Sequence, residues 1–181
     1  TSTMMSLSRK AQGVTPSATL AISAKAKAMQ AEGHDVIGFG AGEPDFDTPE
    51  NIKDAAKAAL DAGYTKYTPA SGAPDLKAAV AARYERTHGI PYGADQVVVS
   101  CGGKHALYNI FQAICDPGDE VIFAAPYWVS YPEMVKLADG VPVAVSTSAA
   151  DNYTLSADAI AAHLTDKTKA VIINSPSNPT G

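Results

Sequence analysis

Ser100-Cys101-Gly102-Gly103-Lys104 sets two glycines and a lysine between a β-branched run, Val97-Val98-Val99, and the apolar-striped segment Lys104 to Ile114. Glycines let the backbone turn tightly and bring free N–H groups to a helix N-terminus, which is a ready anion site. The spacing is neither GxxxxGK[ST] nor GxGxxG, and an ordinary tight turn is the plain alternative. Lys104 shifts the balance. A cation in the first helical turn is opposed by the helix dipole by ~0.3–1 kcal/mol, and a bound anion reverses that sign. The competing reading is a lysine that extends into water.

Two further segments follow strand-like runs. Ala125-Pro126-Tyr127-Trp128 carries the only tryptophan of the chain. In an open α/β sheet, ligands sit outside the carboxyl ends of the strands, so Trp128 is either a flat platform for a ring or a half-buried core residue. Asn174-Ser175-Pro176-Ser177-Asn178-Pro179-Thr180-Gly181 presents Asn178, whose amide both donates and accepts. Asn-Pro alone is a turn signal. An anion loop, a tryptophan and an amide at successive strand ends are harder to dismiss together than singly.

Other candidates are weaker. Gly40 to Pro49 reads as a linker with a helix cap, and Tyr64 to Gly72 as an exposed loop with two tyrosines. Exposed tyrosines mark interfaces or are simply solvated. No histidines have metal-ligand spacing, so no metal is expected, and His105 beside Lys104 is only a marginal site candidate. Cys101 and Cys115 lack CxxC spacing and read as small apolar fillers in a reducing compartment.

The elements that must position these residues alternate between two hydrophobic periods. Helices are expected over Ser17–Gln30, from Pro49 with Thr48 as N-cap, from Pro74 to Gly89, and over Lys104–Ile114, Val129–Ala138 and Ser156–Leu164. Strands are expected at Val36–Phe39, Val97–Val99, Glu120–Ala124, Val141–Ser146 and Ala170–Asn174, with a turn at Asp116-Pro117-Gly118-Asp119. This alternation means βαβ units: an α/β chain with a three-layer α/β/α, mostly parallel sheet. The last strand and its loop end the 181 residues at the mouth of a crossover, so a partial chain is expected.

Composition agrees. Hydrophobic residues make up 46% and charged residues 18%, enough apolar mass for a core and too much for a disordered chain. A net charge of −5 argues against nucleic-acid binding through bulk charge. No apolar run reaches the ~18 residues of a membrane span, and Thr1 to Lys10 has no signal-peptide stretch, so no membrane and a cytoplasmic setting are expected.

Taken in order, these segments resemble the N-terminal half of the fold-type I, class-I pyridoxal-phosphate aminotransferases, nearest the bacterial aspartate aminotransferase subgroup. The resemblance is carried by Pro16-Ser17-Ala18-Thr19, Ala41-Gly42-Glu43-Pro44-Asp45-Phe46-Asp47-Thr48-Pro49, Lys66-Tyr67 with Gly72, Gly102-Gly103-Lys104, Asp116-Pro117-Gly118-Asp119-Glu120-Val121, Pro126-Tyr127-Trp128-Val129-Ser130-Tyr131 and Asn174 to Gly181. It implies an N-terminal arm at 1–14, a small-domain helix, strand and substrate loop at 15–44, and the first part of a cofactor-binding large domain at 45–181. It implies pyridoxal 5'-phosphate as cofactor, amino-acid and 2-oxo-acid substrates, and transfer of the L-aspartate amino group to 2-oxoglutarate.

The resemblance also assigns roles. Backbone N–H groups of Gly103 and Lys104 would hold the cofactor phosphate, Trp128 would stack on its ring, and Asn178 would donate to its phenolic oxygen. Asn178, Trp128 and the Gly42 backbone would face the substrate, with Lys104 recognising a distal carboxylate and Ser17 and Thr19 assisting. Tyr67 would reach the cofactor phosphate of a second subunit, which implies a homodimer with shared sites. The Schiff-base lysine would lie beyond residue 181, leaving no catalytic residue within this chain. A broader aminotransferase acting on prephenate, aromatic or neutral amino acids, and a non-catalytic module for a phosphate-bearing ligand, stay open. Matching prolines in the family are cis, which makes cis the expectation at Asn178–Pro179 and leaves Ala125–Pro126 open.

Overall fold

A computed structural model of the chain describes residues 6–40 and 42–181. Residues 1–5 of the expected arm and Ala41 of the linker motif lie outside the described residues. In chain order the elements are α1 (Arg9–Gln12), α2 (Ala18–Ala31), α3 (Glu50–Asp61), α4 (Pro74–His88), α5 (Gly103–Ile114), β1 (Glu120–Ala125), α6 (Ser130–Leu137), β2 (Val141–Ser146), α7 (Ala157–Ala161) and β3 (Thr168–Ile172). They fall into two compact units. One joins the described residues up to Ser17 to Cys101–Gly181, and the other is Ala18–Ser100.

The first unit is an α/β layer built on β1. This strand pairs in parallel with β2 on one side and β3 on the other, in the order β2-β1-β3. A central parallel strand is buried on both faces, and so needs a continuous apolar run rather than alternation. Val121, Ile122 and Phe123 meet that need and are at most 1% exposed. Helix α6 presents Tyr131, Met134 and Val135, with Ala138 one turn on, to the face holding Val121 and Phe123. Phe111 of α5 closes the same cluster, and the half-buried Ala170 and Ile172 of β3 pack against it. The turn before β1 forms as its composition requires: the Asp119 amide donates to Asp116 O at 3.0 Å, and the Asp116 amide to Asp119 Oδ2 at 2.9 Å.

In the second unit, α4 runs from Pro74 in its first turn to a left-handed Gly89, whose N–H donates to Glu85 O. Gly72 has φ +111, and a Cβ there would stand 2.6 Å from Val99 Cγ2. The Val99 amide donates to Ser71 O at 2.9 Å, which ties the glycine turn to the segment leading toward Gly102.

Several expectations are corrected. Val97–Val99 is not a paired strand among the described residues. Its backbone is extended at Val97, but its amides find isolated partners rather than a ladder: Val97 N–H donates to Ala94 O and Val99 N–H to Ser71 O. Val36–Phe39 forms no strand either; Ile37 is 76% and Phe39 93% exposed, with no ladder neighbour in this unit. Thr48 is not the cap of α3. Pro49 is, without a side-chain bond, and its carbonyl accepts from Ile52 and Lys53. Asp47 organises this start instead, accepting from the Thr48 amide and pairing with Lys53 at 2.7 Å. The last strand is Thr168–Ile172 because pairing with β1 defines it, and Ile173, at 79% exposure, runs past the ladder. Helix α7 is shorter than expected, capped by Ser156 through the Ala159 amide. No helix among the described residues is long and apolar enough to cross a membrane.

Phe123 is 1% exposed and touches both α6 and the residues beyond β1. Phe123→Ala should therefore cost about 3–5 kcal/mol of unfolding free energy, read from urea denaturation of the intact protein. A loss below about 1 kcal/mol would show that β1 is not the centre of the core.

Candidate functional site

The site is built on the first unit's carboxyl-end loops. Because β1 and β3 run parallel, with Phe123 paired to Ile172, the loops that leave them emerge at the same sheet edge. The first carries Trp128, the second Asn178. The peptide bonds Ala125–Pro126 and Asn178–Pro179 are both cis, and so is Ser175–Pro176, which the sequence reading did not single out.

Helix α5 supplies the third component. Gly102 precedes it with φ 88 and ψ 165, a conformation open essentially to glycine alone. No side chain caps the helix, and the first bond back to Gly102 O comes from Ala106 at 3.1 Å. The N–H groups of Gly103, Lys104 and His105 therefore have no partner within the helix. An added Cβ at Gly103 would meet nothing within 4 Å, so the space before these donors is open.

The structure brings two of the expected residues together. Lys104 Nζ lies 5.2 Å from the centroid of the Trp128 ring, a cation–π contact. Trp128 is itself held edge-on by Tyr131, with ring centroids 5.5 Å apart, and packs against the Phe111–Phe123–Val135 cluster. Trp128 is thus partly a core residue, and the ammonium group of Lys104 lies over its ring. The helix-start amides and the ammonium group are donors that fit a phosphate ester, and the indole face is a surface that fits a flat ring.

Asn178 is exposed, and its backbone N–H donates to Asn174 Oδ1 at 2.8 Å. Ser17, the last residue of this unit before α2, is half-buried. Gly42, Tyr67 and Thr19 belong to the other unit. There Thr19 is half-buried on α2, Gly42 is exposed, and Tyr67 is fully exposed.

Two positioning contacts were not read from the sequence. His105 Nδ1 accepts the Cys101 amide at 3.2 Å, tying the third residue of α5 back to the segment before Gly102. Its position three residues past the N-cap was the available signal, since side chains there commonly reach back to the backbone. Asn174, whose Oδ1 accepts the Asn178 amide, has no signal in the sequence beyond its place at the head of the Asn174–Gly181 motif. The segment before Ser17 is anchored as well. Lys10 pairs with Asp139 at 2.6 Å, and the Thr15 amide donates to Glu133 Oε2 at 2.9 Å. Burial pushes the Glu133 carboxyl up, but the Thr15 amide and the Lys136 ammonium outweigh it and hold Glu133 below its ordinary range.

Comparison with known proteins gives a consistent set of relatives. The aminotransferase class I and II family matches residues 34–181. The aspartate aminotransferase of Bacillus sp. strain YM-2 is 55% identical over 175 residues, which are 97% of this chain and 45% of that protein. The aspartate/prephenate aminotransferase of Thermus thermophilus is 49% identical over 178 residues, 98% of this chain and 46% of that protein. The solved structure of aspartate aminotransferase from Thermus thermophilus with maleate superposes with a TM-score of 0.94 at 48% identity, over 97% of this chain and 46% of that one. The chain thus spans less than half the length of these relatives.

Two outcomes follow from this geometry. Gly102→Ala should lose about 1–3 kcal/mol of stability by chemical denaturation, because its φ and ψ exclude a side chain. Gly103→Ala, with open space around it, should lose less than half of that. Glu133 has a folded pKa below its unfolded one, so its contribution is fully present above the ordinary carboxylate range and is lost as pH falls from there through the lowered folded pKa. Hydrogen exchange at the Thr15 amide, corrected for its intrinsic rate, should accelerate on acidification in the natural protein and be fast at every pH in Glu133→Ala.

Proposed function

This chain belongs to the aminotransferase class I and II family, and on that premise we propose that the protein is an aspartate aminotransferase using pyridoxal 5'-phosphate. It moves the amino group of L-aspartate to 2-oxoglutarate, forming oxaloacetate and L-glutamate. When bound, the cofactor supplies the electron sink that amino transfer requires. The residues described here do the binding and orienting. Amides of Gly103 and Lys104 hold the phosphate at the start of α5, where the helix dipole favours an anion. Trp128 covers the ring and excludes water from one face. Asn178 donates from its side-chain amide to the ring oxygen and helps place the α-carboxylate.

The observation that carries the substrate assignment is Lys104 Nζ lying over Trp128 at 5.2 Å. It puts an ammonium group beside the proposed ring platform, where the distal carboxylate of a dicarboxylic substrate can meet it. The Thermus structure with maleate, a four-carbon dicarboxylate, supports this reading. A second reading, activity toward prephenate as well, is favoured by the aspartate/prephenate name of the Thermus relative. Prephenate also carries two carboxylates, so Lys104 suits both.

In the same proposal, residues 1–14 form an arm, 15–44 belong to a small domain and 45–181 begin the cofactor-binding large domain. The full exposure of Tyr67, at 106%, supports its turning toward a second subunit in a homodimer. Free thiols at Cys101 and Cys115 support a cytoplasmic setting.

The direct test is the absorption spectrum of the intact protein with pyridoxal phosphate. It should change on adding aspartate and revert on adding 2-oxoglutarate; no response to any amino acid would refute the assignment. Lys104→Ala should lower kcat/KM for aspartate by ~2–5 kcal/mol in transition-state terms while sparing alanine and phenylalanine. An equal loss for all substrates would mean that Lys104 serves the phosphate or the fold instead. Assays with prephenate as acceptor separate the two readings.

A further inference from the structure

The loop after β3 is short of backbone donors. Between Asn174 and Pro179 the chain reads Ser175-Pro176-Ser177-Asn178, and prolines have no N–H to give. The ladder with β1 has already ended at Ile172, so no strand pairing holds this segment. Within it, the Asn178 amide donates to the Asn174 side chain, Oδ1, at 2.8 Å. The next bond along the loop, from the Gly181 amide to Ser177 O at 2.8 Å, closes the turn on the far side of Asn178. Asn178 is therefore fixed from behind by one side chain, four residues upstream, and from ahead by one backbone turn.

We propose that Asn174 is a positioning residue for Asn178. Its carboxamide oxygen takes the Asn178 backbone N–H and thereby leaves the Asn178 side-chain amide free, and correctly aimed, for the bound cofactor. The proposal rests on the reading of Asn178 given above. Two properties of the contact support it. First, asparagine is suited to bonding the backbone a few residues on, an interaction that competes with regular structure and so belongs where a strand has just stopped. Second, both residues are exposed, so without the bond the Asn178 amide would be satisfied by water and the loop would be free to turn. Asn174 then acts on geometry rather than on bulk stability, and its loss is felt only through Asn178.

A double-mutant cycle on the intact protein tests this. Affinity for pyridoxal phosphate is measured by titration for Asn174→Ala, Asn178→Ala and the pair, with inorganic phosphate as a probe of the α5 loop alone. Asn174→Ala should weaken pyridoxal phosphate about three- to tenfold, the scale of one net hydrogen bond, and leave inorganic phosphate unchanged. In the Asn178→Ala background the same change should have no further effect, since the two act as a unit. Amide hydrogen exchange at Asn178 should be fast in Asn174→Ala and slow in Asn174→Asp, which keeps the acceptor. If Asn174→Ala is silent, or costs the same in both backgrounds, Asn174 does not act through Asn178 and the proposal falls while the role of Asn178 stands. If Asn178→Ala alone leaves pyridoxal phosphate affinity intact, the reading of Asn178 fails and takes this proposal with it.

Discussion

Parallel pairing of β1 with a neighbour on each side is the constraint from which the site follows. Parallel strands begin at one edge and end at the other, so the loops after β1 and β3 emerge together without any local signal telling them to. The arrangement demands a strand buried on both faces, and Val121-Ile122-Phe123 provides one. The helix that follows must then return across the sheet. Its apolar stripe of Tyr131, Met134, Val135 and Ala138 does so by packing on the face that β1 has already dried. Tyr131 is shared between this core and Trp128, so sheet packing also orients the Trp128 ring.

Electrostatics at the start of α5 run against the fold. Lys104 is a cation in the first turn of a helix whose N-terminus is already partly positive, with amides that no side chain caps. The indole face of Trp128 offsets some of that cost by accepting the ammonium charge. An anion would satisfy the amides and the lysine at once. Local geometry is kept ready by two devices of different kind: a glycine at 102, in a conformation that side chains avoid, and the His105 ring, which pins the Cys101 amide.

The N-terminal segment shows how the same unit secures a chain with few apolar groups of its own. Lys10 with Asp139 is an exposed pair, and such pairs contribute little by themselves. Glu133 differs because its side chain is only 16% exposed, so the carboxylate that accepts the Thr15 amide works in a drier setting. That bond, more than the ion pair, places the residues leading to Ser17.

The sequence by itself determined the α/β class, the strands β1 and β2, the turn at Asp116–Asp119, and the helices from Pro74 and at Lys104–Ile114. Each of these is written in a local pattern: an apolar run, a proline at the first turn, a glycine after the last. The places of Gly102-Gly103, Trp128 and Asn178 beside element boundaries were legible for the same reason. Val97–Val99 and Val36–Phe39 misled because β-branched and apolar residues state only that a segment can be extended. Whether it becomes a strand depends on a neighbour offering a ladder, and in these units none does. The contact of Lys104 with Trp128, the bond from Cys101 to His105, and the hold of Glu133 on Thr15 span from four to 118 positions. Only tertiary structure decides such contacts, because the free energy of each depends on where packing has already carried both partners.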